Sequence, residues 1–338
     1  MMLPLQQCSV IEFSDDEMVK GMRTPSLPSA HRILPLLFGR RLTVAQRENK
    51  GRLTSRCSRL ASASLQRAAE RNRYAAVHCE NGKAGSKSMS TVQDFQKRLH
   101  ANYKSDLSLP PTYKYIYGNP VQPVVPLDTA QEGVCIIGAY PSAQFATIDS
   151  ELDVPVGDNC GPFSTERYFD GSRVRTVASG EELEEAYIAP LGLRREQCWI
   201  TDLVRIFLFK EGHLAKYRRL GCAWPERETR SQFEDFARQG LHWLEEELSL
   251  ARPRLVITLG IEVAGILQGV RGRRKRNALL GGDLKEIQLG TAGYPIIHLA
   301  HPGIVMRKAS ERNPWPRLHR EKHIPEAREV VERLVLRQ

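Results

Sequence analysis

Apolar residues along this chain gather in short runs that end at glycine or proline, with spacings that leave room for helices between them. Val134–Ile137 is an apolar, β-branched run that predicts a buried strand. It stops at Gly138, and Pro141 cannot join a strand ladder, so a tight turn follows. Small residues at Gly138, Ala139, Ser142 and Ala143 would let a ligand approach the backbone there. Open α/β sheets place their binding crevice at strand ends of this kind. Cys198–Val204, Leu255–Gly260 and Tyr294–Ala300 predict three more strands. Ser231–Leu250 has helical periodicity, with Phe233, Phe236, Leu241, Leu244 and Leu248 on one face. Ile261–Val270 and Arg320–Arg337 predict two further helices. Alternating strands and helices predict an α/β fold: three layers, α/β/α, around a central, mainly parallel four-stranded sheet.

The pattern is different upstream. Residues 1–88 are rich in Arg and Ser and lack sustained periodicity, so a disordered basic N-terminal extension is expected there. An Arg-rich organelle address is the competing reading, opposed by Asp15, Asp16 and Glu17. A natural start at Met89 is a further expectation. Residues 89–130 predict a short helix, Thr91–His100, followed by a Pro- and Tyr-rich strap around the folded domain, 131–338.

The chain has 338 residues, 41% of them hydrophobic, and a net charge of +10. The charge favours an anionic partner, nucleic acid first, unless the surplus sits in the N-terminal extension. The seven cysteines are odd in number and form no CxxC pair, which argues against a disulfide framework or a cysteine-bound metal. Reduced thiols fit an intracellular, cytoplasmic protein. No apolar run is long enough to cross a bilayer, so no membrane partner is expected.

Five short motifs lie in order at the predicted strand ends. They are Gly138-Ala-Tyr-Pro-Ser142, Gly161-Pro-Phe163, Ile200-Thr-Asp-Leu-Val204, Pro253–Gly260 and His301-Pro-Gly-Ile-Val-Met-Arg307. Together they resemble the motifs of the uracil-DNA glycosylase superfamily, over roughly residues 130–335. The resemblance implies cleavage of the bond between a base and its deoxyribose in DNA, single-stranded or damaged DNA included. It also implies a monomer with no metal and no cofactor. The cysteine spacing does not reproduce the ligands of the family's iron–sulfur branches.

The resemblance assigns roles. His301 matches the histidine that donates to the base O2, where negative charge develops as the base departs. Phe163 matches the aromatic that stacks on a flipped base, with a core residue as its other reading. Gly138, Ala139 and Tyr140 form the base-side turn. Asp202 stands where relatives often carry Asn. An amide donates to O4 and accepts from N3–H of uracil, whereas a carboxylate only accepts. Plain uracil is therefore expected to be a poor substrate, unless Asp202 is protonated in the complex. Ile304, Val305 and Met306 match the loop that fills the gap left by the flipped base, with Arg307 on phosphate. The basic cluster Arg273, Arg274, Lys275 and Arg276 reads as a phosphate-contacting loop or as a solvated face.

The main departure lies in the first motif. Relatives carry a carboxylate or an amide in the two positions after the glycine, and here those are Ala139 and Tyr140. Asp149, Asp153 and Asp158 follow in the predicted loop, and Asp158 is the candidate substitute base. Its other reading is a turn-forming residue. Two functions therefore stay open: a base-excision glycosylase acting on uracil or another altered base, and a catalytically inactive relative that binds a base or nucleic acid. Hydrolysis of a small nucleoside-like molecule is a third and weaker reading.

Overall fold

The structure is a computed structural model, and it describes residues 87–110, 114–148, 152–222 and 225–337. The expected N-terminal extension lies outside the described residues up to position 86.

Five strands form the central sheet: β1 Val134–Gly138, β6 Cys198–Asp202, β7 Leu255–Leu259, β8 Lys285–Leu289 and β9 Ala292–Leu299, in the order β6-β1-β7-β9-β8. The first four in space run parallel, and they are the four runs legible in the sequence. β8 is the fifth, added antiparallel at the edge beside β9. Its alternating sequence, Lys-Glu-Ile-Gln-Leu, buries only Ile287 and Leu289, which suits an edge strand with one wet face.

β1, β6 and β7 are buried throughout, and their side chains divide by parity between two cores. Cys135, Ile137, Trp199 and Val256 face one core, with Phe95, Tyr103, Trp243 and Leu248 from helices. Val134, Ile136, Ile200 and Ile257 face the other, with Leu183, Tyr187, Ile324 and Val331. Two apolar faces on one sheet need helices on both sides, which gives the three layers. The chain expected to form one helix over Ser231–Leu250 forms two, Phe233–Gln239 and Leu241–Ala251, divided at Gly240. A Cβ on Gly240 would crowd the Phe236 carbonyl at 3.2 Å and the Tyr103 hydroxyl at 3.3 Å.

The helix expected over Thr91–His100 extends over Lys87–Asp106 and docks on Leu241–Ala251. Phe95 meets Trp243 edge-on, and Trp243 Nε1 donates to Asp106 at 3.0 Å. The segment that follows runs across the open side of β6. The Ile200 amide donates to the Asp128 carbonyl, and Val124 donates to the Arg205 carbonyl. This covers an edge that would otherwise expose unpaired backbone groups.

Two hairpins interrupt the region that the sequence left as loop. β2 Ala143–Ile148 pairs with β3 Leu152–Asp158, and β4 Arg167–Phe169 pairs with β5 Val174–Thr176. Asp153 and Asp158 are thus strand residues, and Asp149 lies outside the described residues. Among the described residues, no helix is long and apolar enough to cross a membrane.

Candidate active site

β1 and β6 end side by side, with Gly138 in register with Asp202. The turn after β1 is clamped to the chain leaving β6: Leu203 and Val204 donate their amides to the carbonyls of Gly138 and Ala139, each at 2.9 Å. Gly138 is required here by space. A Cβ on it would lie 2.5 Å from a ring carbon of Phe163, and closer still to a carboxylate oxygen of Asp202. Backbone, aromatic ring and carboxyl group therefore meet at one point.

Phe163 has a φ of +51°, in the left-handed region that a bulky side chain rarely adopts. Neighbouring groups hold it there. Arg195, itself paired with Asp128 at 2.8 Å, donates to the Phe163 carbonyl at 2.8 Å. The helix Ala178–Leu183 presses Gly180 against the same backbone, where a Cβ would come within 2.5 Å of the Ser164 carbonyl.

His301 follows β9 and caps the short helix Pro302–Val305. Its Nδ1 accepts from the Gly303 amide at 3.0 Å. A neutral imidazole that accepts at Nδ1 carries its proton at Nε2. Burial lowers the His301 pKa to about 4, and the nearby charges of Arg230 and Arg307 add to the effect. The ring is therefore a neutral N–H donor at ordinary pH.

Phe163, Asp202, His301 and Tyr140 line one cavity of about 360 Å³. Asp202 forms part of its floor at 1% exposure, and neither carboxylate oxygen has a hydrogen-bond partner. Burial raises its pKa to about 7, against the opposing pull of Arg205. Arg205 is held by Glu247, which also accepts from Trp199 Nε1 at 2.7 Å and Thr201 Oγ1 at 3.1 Å. The cavity thus offers a neutral donor at His301 and an uncommitted acid at Asp202, beside an aromatic ring at Phe163.

A family model, the Uracil DNA glycosylase superfamily, matches residues 126–324, which span every element that meets at this cavity. The chain belongs to the uracil-DNA glycosylase superfamily. No curated protein matches it. Within this glycosylase-superfamily domain the other expected residues divide. Asp158 is outside the cavity lining, and both its oxygens are committed to the strap: one accepts from the Tyr115 hydroxyl at 2.6 Å, the other from the Gln122 amide at 2.9 Å. The expectation of a substitute base at Asp158 is corrected on that ground. Burial raises its pKa to about 6.

Ile304–Met306 form helix and turn rather than open loop. Val305 is 7% exposed and belongs to the core, while Ile304 and Met306 are 37% and 44% exposed. Arg273, Arg274 and Lys275 are exposed on the short helix Arg273–Asn277, but Arg276 is buried. Its Nε donates to the Val270 carbonyl at 2.9 Å and its Nη1 pairs with Glu234 at 2.6 Å, so it holds the helix in place instead of facing phosphate.

The sequence did not single out Glu182, Ser179, Lys210 or Arg230. Glu182 and Ser179 line the cavity. Arg230 lies 5.2 Å from the centre of the Tyr140 ring, and its amide donates to the carbonyl of Phe209, the neighbour of Lys210. Among the described residues, no group of three or more His, Cys, Asp or Glu could hold a metal ion.

Proposed function

We propose that this protein is a DNA glycosylase that hydrolyses the N-glycosidic bond of uracil or a related altered base. The observation that carries this reading is Asp202, a buried carboxyl group with no partner of its own, in the same cavity as Phe163 and His301. A neutral carboxylic acid presents one acceptor and one donor, as an amide does. In the acid form its carbonyl oxygen accepts from uracil N3–H and its hydroxyl donates to O4. His301 Nε2–H donates to O2, where charge accumulates as the bond to C1′ breaks. The base reaches this cavity only by leaving the stack, and Phe163 then covers its face. Ile304 and Met306 are the exposed apolar residues beside His301 that would fill the vacated space.

The test is a panel of single- and double-stranded oligonucleotides, each carrying one altered base, incubated with the full chain. Alkali-induced breakage at one altered base is expected, reduced by about a hundredfold or more in His301→Ala. The absence of carboxylate and amide from the first motif, at Ala139 and Tyr140, favours a second reading: a base-binding member without turnover. Selective binding of one altered base without breakage would establish that reading instead.

A further inference from the structure

Water that attacks the sugar must give up a proton, a carboxylate beside it eases that transfer, and the first motif supplies none here. Ala139 has no titratable group. Burial pushes the Tyr140 hydroxyl up to about 12, so it stays protonated. We propose that Glu182 is the carboxylate that activates the attacking water, an assignment that rests on the glycosylase reading above.

Three carboxyl groups line the cavity: Asp153, Glu182 and Asp202. Asp153 is paired with Arg175 at 3.3 Å. Asp202 is on the floor, and the glycosylase reading already gives it the base edge. Glu182 has no hydrogen bond or ion pair among the described residues. Its depth also fits. A base whose O4 and N3 edge meets the floor directs its glycosidic bond outward. C1′ then lies away from the floor, and Glu182, half-buried where Asp202 is fully buried, is the shallower of the two carboxyl groups. The helix Ala178–Leu183 that carries Glu182 is braced on two sides. Gly180 abuts the Phe163–Ser164 backbone, and the helix packs against Pro302–Val305, the turn that follows His301. Tyr187, one turn beyond, donates its hydroxyl to the Ala300 carbonyl immediately before His301.

Glu182, Phe163 and His301 are therefore held in one frame. Ser179, three residues before Glu182 on the same helix, brings a second polar group to the cavity: a buried hydroxyl oxygen without a partner. The assignment gives it the role of holding the same water. Burial raises the Glu182 pKa, which makes the ionised carboxylate a stronger base.

The step balances with one water. The water oxygen forms the new bond to C1′ while one of its protons passes to the Glu182 carboxylate. The C1′–N bond breaks, and its electron pair leaves with the base, whose O2 is met by His301 Nε2–H. Glu182 returns the proton to the departing base directly or through solvent. The products are the free base and a sugar hydroxylated at C1′.

The experiment measures single-turnover excision by the full chain on the base that the panel identifies. Binding is measured separately on the same lesion carried by an uncleavable 2′-fluorinated sugar. Glu182→Gln is expected to lose about a hundredfold or more in rate and to bind within about threefold of wild type. Ser179→Ala is expected to lose about tenfold in rate. Glu182→Ala is expected to recover rate with added formate, which restores a carboxylate to the vacated space. A Glu182→Gln rate within about threefold of wild type overturns the assignment, as does a folded Glu182→Ala that formate does not rescue. Wild type that excises no base from the panel defeats the glycosylase reading itself, and the assignment falls with it. Wild-type activity with an unaffected Glu182→Gln defeats the assignment alone.

Discussion

A carboxyl group buried without a hydrogen-bond partner is costly to ionise, so it retains its proton to a higher pH than usual. Asp202 is such a group. Arg205 and Glu247 lie behind it with opposing effects, and Tyr103 and Tyr140 are close enough to feel its charge. Both tyrosines are pushed up to about 12, and His301 across the cavity is lowered to about 4, so Asp202 titrates among groups that do not change near neutrality. Its acid form prevails below about 7 and its carboxylate above. Uracil excision that needs the hydroxyl donor is therefore expected to fall by about tenfold per pH unit above that value. Asp202→Asn supplies the donor at every pH, so it should match wild type within a few-fold at pH 6 and lack the alkaline decline. A rate profile of both proteins checks this, and identical declines would remove Asp202 from base recognition.

The same proton makes stability depend on pH. Between the ordinary carboxyl value of 3.8 and about 7, the folded chain holds a proton that the unfolded chain has lost. This group therefore makes stability fall as pH rises through that window. Thermal melting should show the Asn variant gaining on wild type from pH 4 to pH 8. The meeting of Phe163, Asp202 and His301 at one cavity was legible in the sequence because each ends a strand or begins a turn in a recognisable motif. Asp158 was misread because its partners, Tyr115 and Gln122, come from a segment about forty residues away whose path the sequence does not fix.

A single helical turn decides which of three consecutive apolar residues faces solvent. Pro302–Val305 is helical because His301 caps it and proline suits a first turn. The turn sends Val305 inward and leaves Ile304 and Met306 outside. Val305→Ala is therefore expected to lower stability by about 1–3 kcal/mol and to affect DNA binding little when folded. The double change Ile304→Ala and Met306→Ala should leave the melting temperature nearly unchanged and weaken binding to a lesion-bearing duplex by about tenfold, the scale of a lost apolar wedge. Melting and fluorescence anisotropy on the three proteins distinguish these outcomes, and a stability loss in the double variant without a binding loss would place both residues in the core. The four parallel strands were legible as continuous apolar runs because both of their faces are buried. β4 and β5 were not, since three residues each are too few to set a period. Nor was the break at Gly240, where Tyr103 arrives from a distant helix and would crowd a Cβ.

At the scale of the whole molecule, the net charge of +10 matters less than where unpaired positive charge collects. Lys210, Arg230 and Arg307 come from three separate segments and approach one another, and Arg230 and Arg307 also lie close enough to His301 to lower its pKa. Arg230 and Arg307 both lower the pKa of Lys210, with Arg230 the larger cause. The three side chains are exposed and have no ion pair among the described residues. Like charges held together without counter-ions disfavour the free protein and favour an anionic ligand, and the sugar–phosphate backbone flanking a flipped nucleotide is one. Only Arg307 could be chosen from the sequence, because the cluster exists only once the start of the helix Glu211–Arg219, the turn Arg230–Gln232 and the turn after His301 are brought together. The legible basic run, Arg273 to Arg276, instead spends Arg276 on Glu234. Each phosphate contact releases counter-ions, so the slope of log affinity against log salt counts contacts at about 0.9 each on duplex DNA. Replacing Lys210, Arg230 and Arg307 by Gln, singly and together, should reduce that slope by about one per residue, and the triple variant should bind most weakly at low salt. The same replacements at Arg273, Arg274 and Lys275 should change it less, because those side chains flank a short helix rather than the cavity. Titrations from low to physiological salt compare the two sets. A slope lost mainly with the second set would put the DNA backbone across the Arg273–Asn277 helix and leave Lys210, Arg230 and Arg307 without an anionic partner.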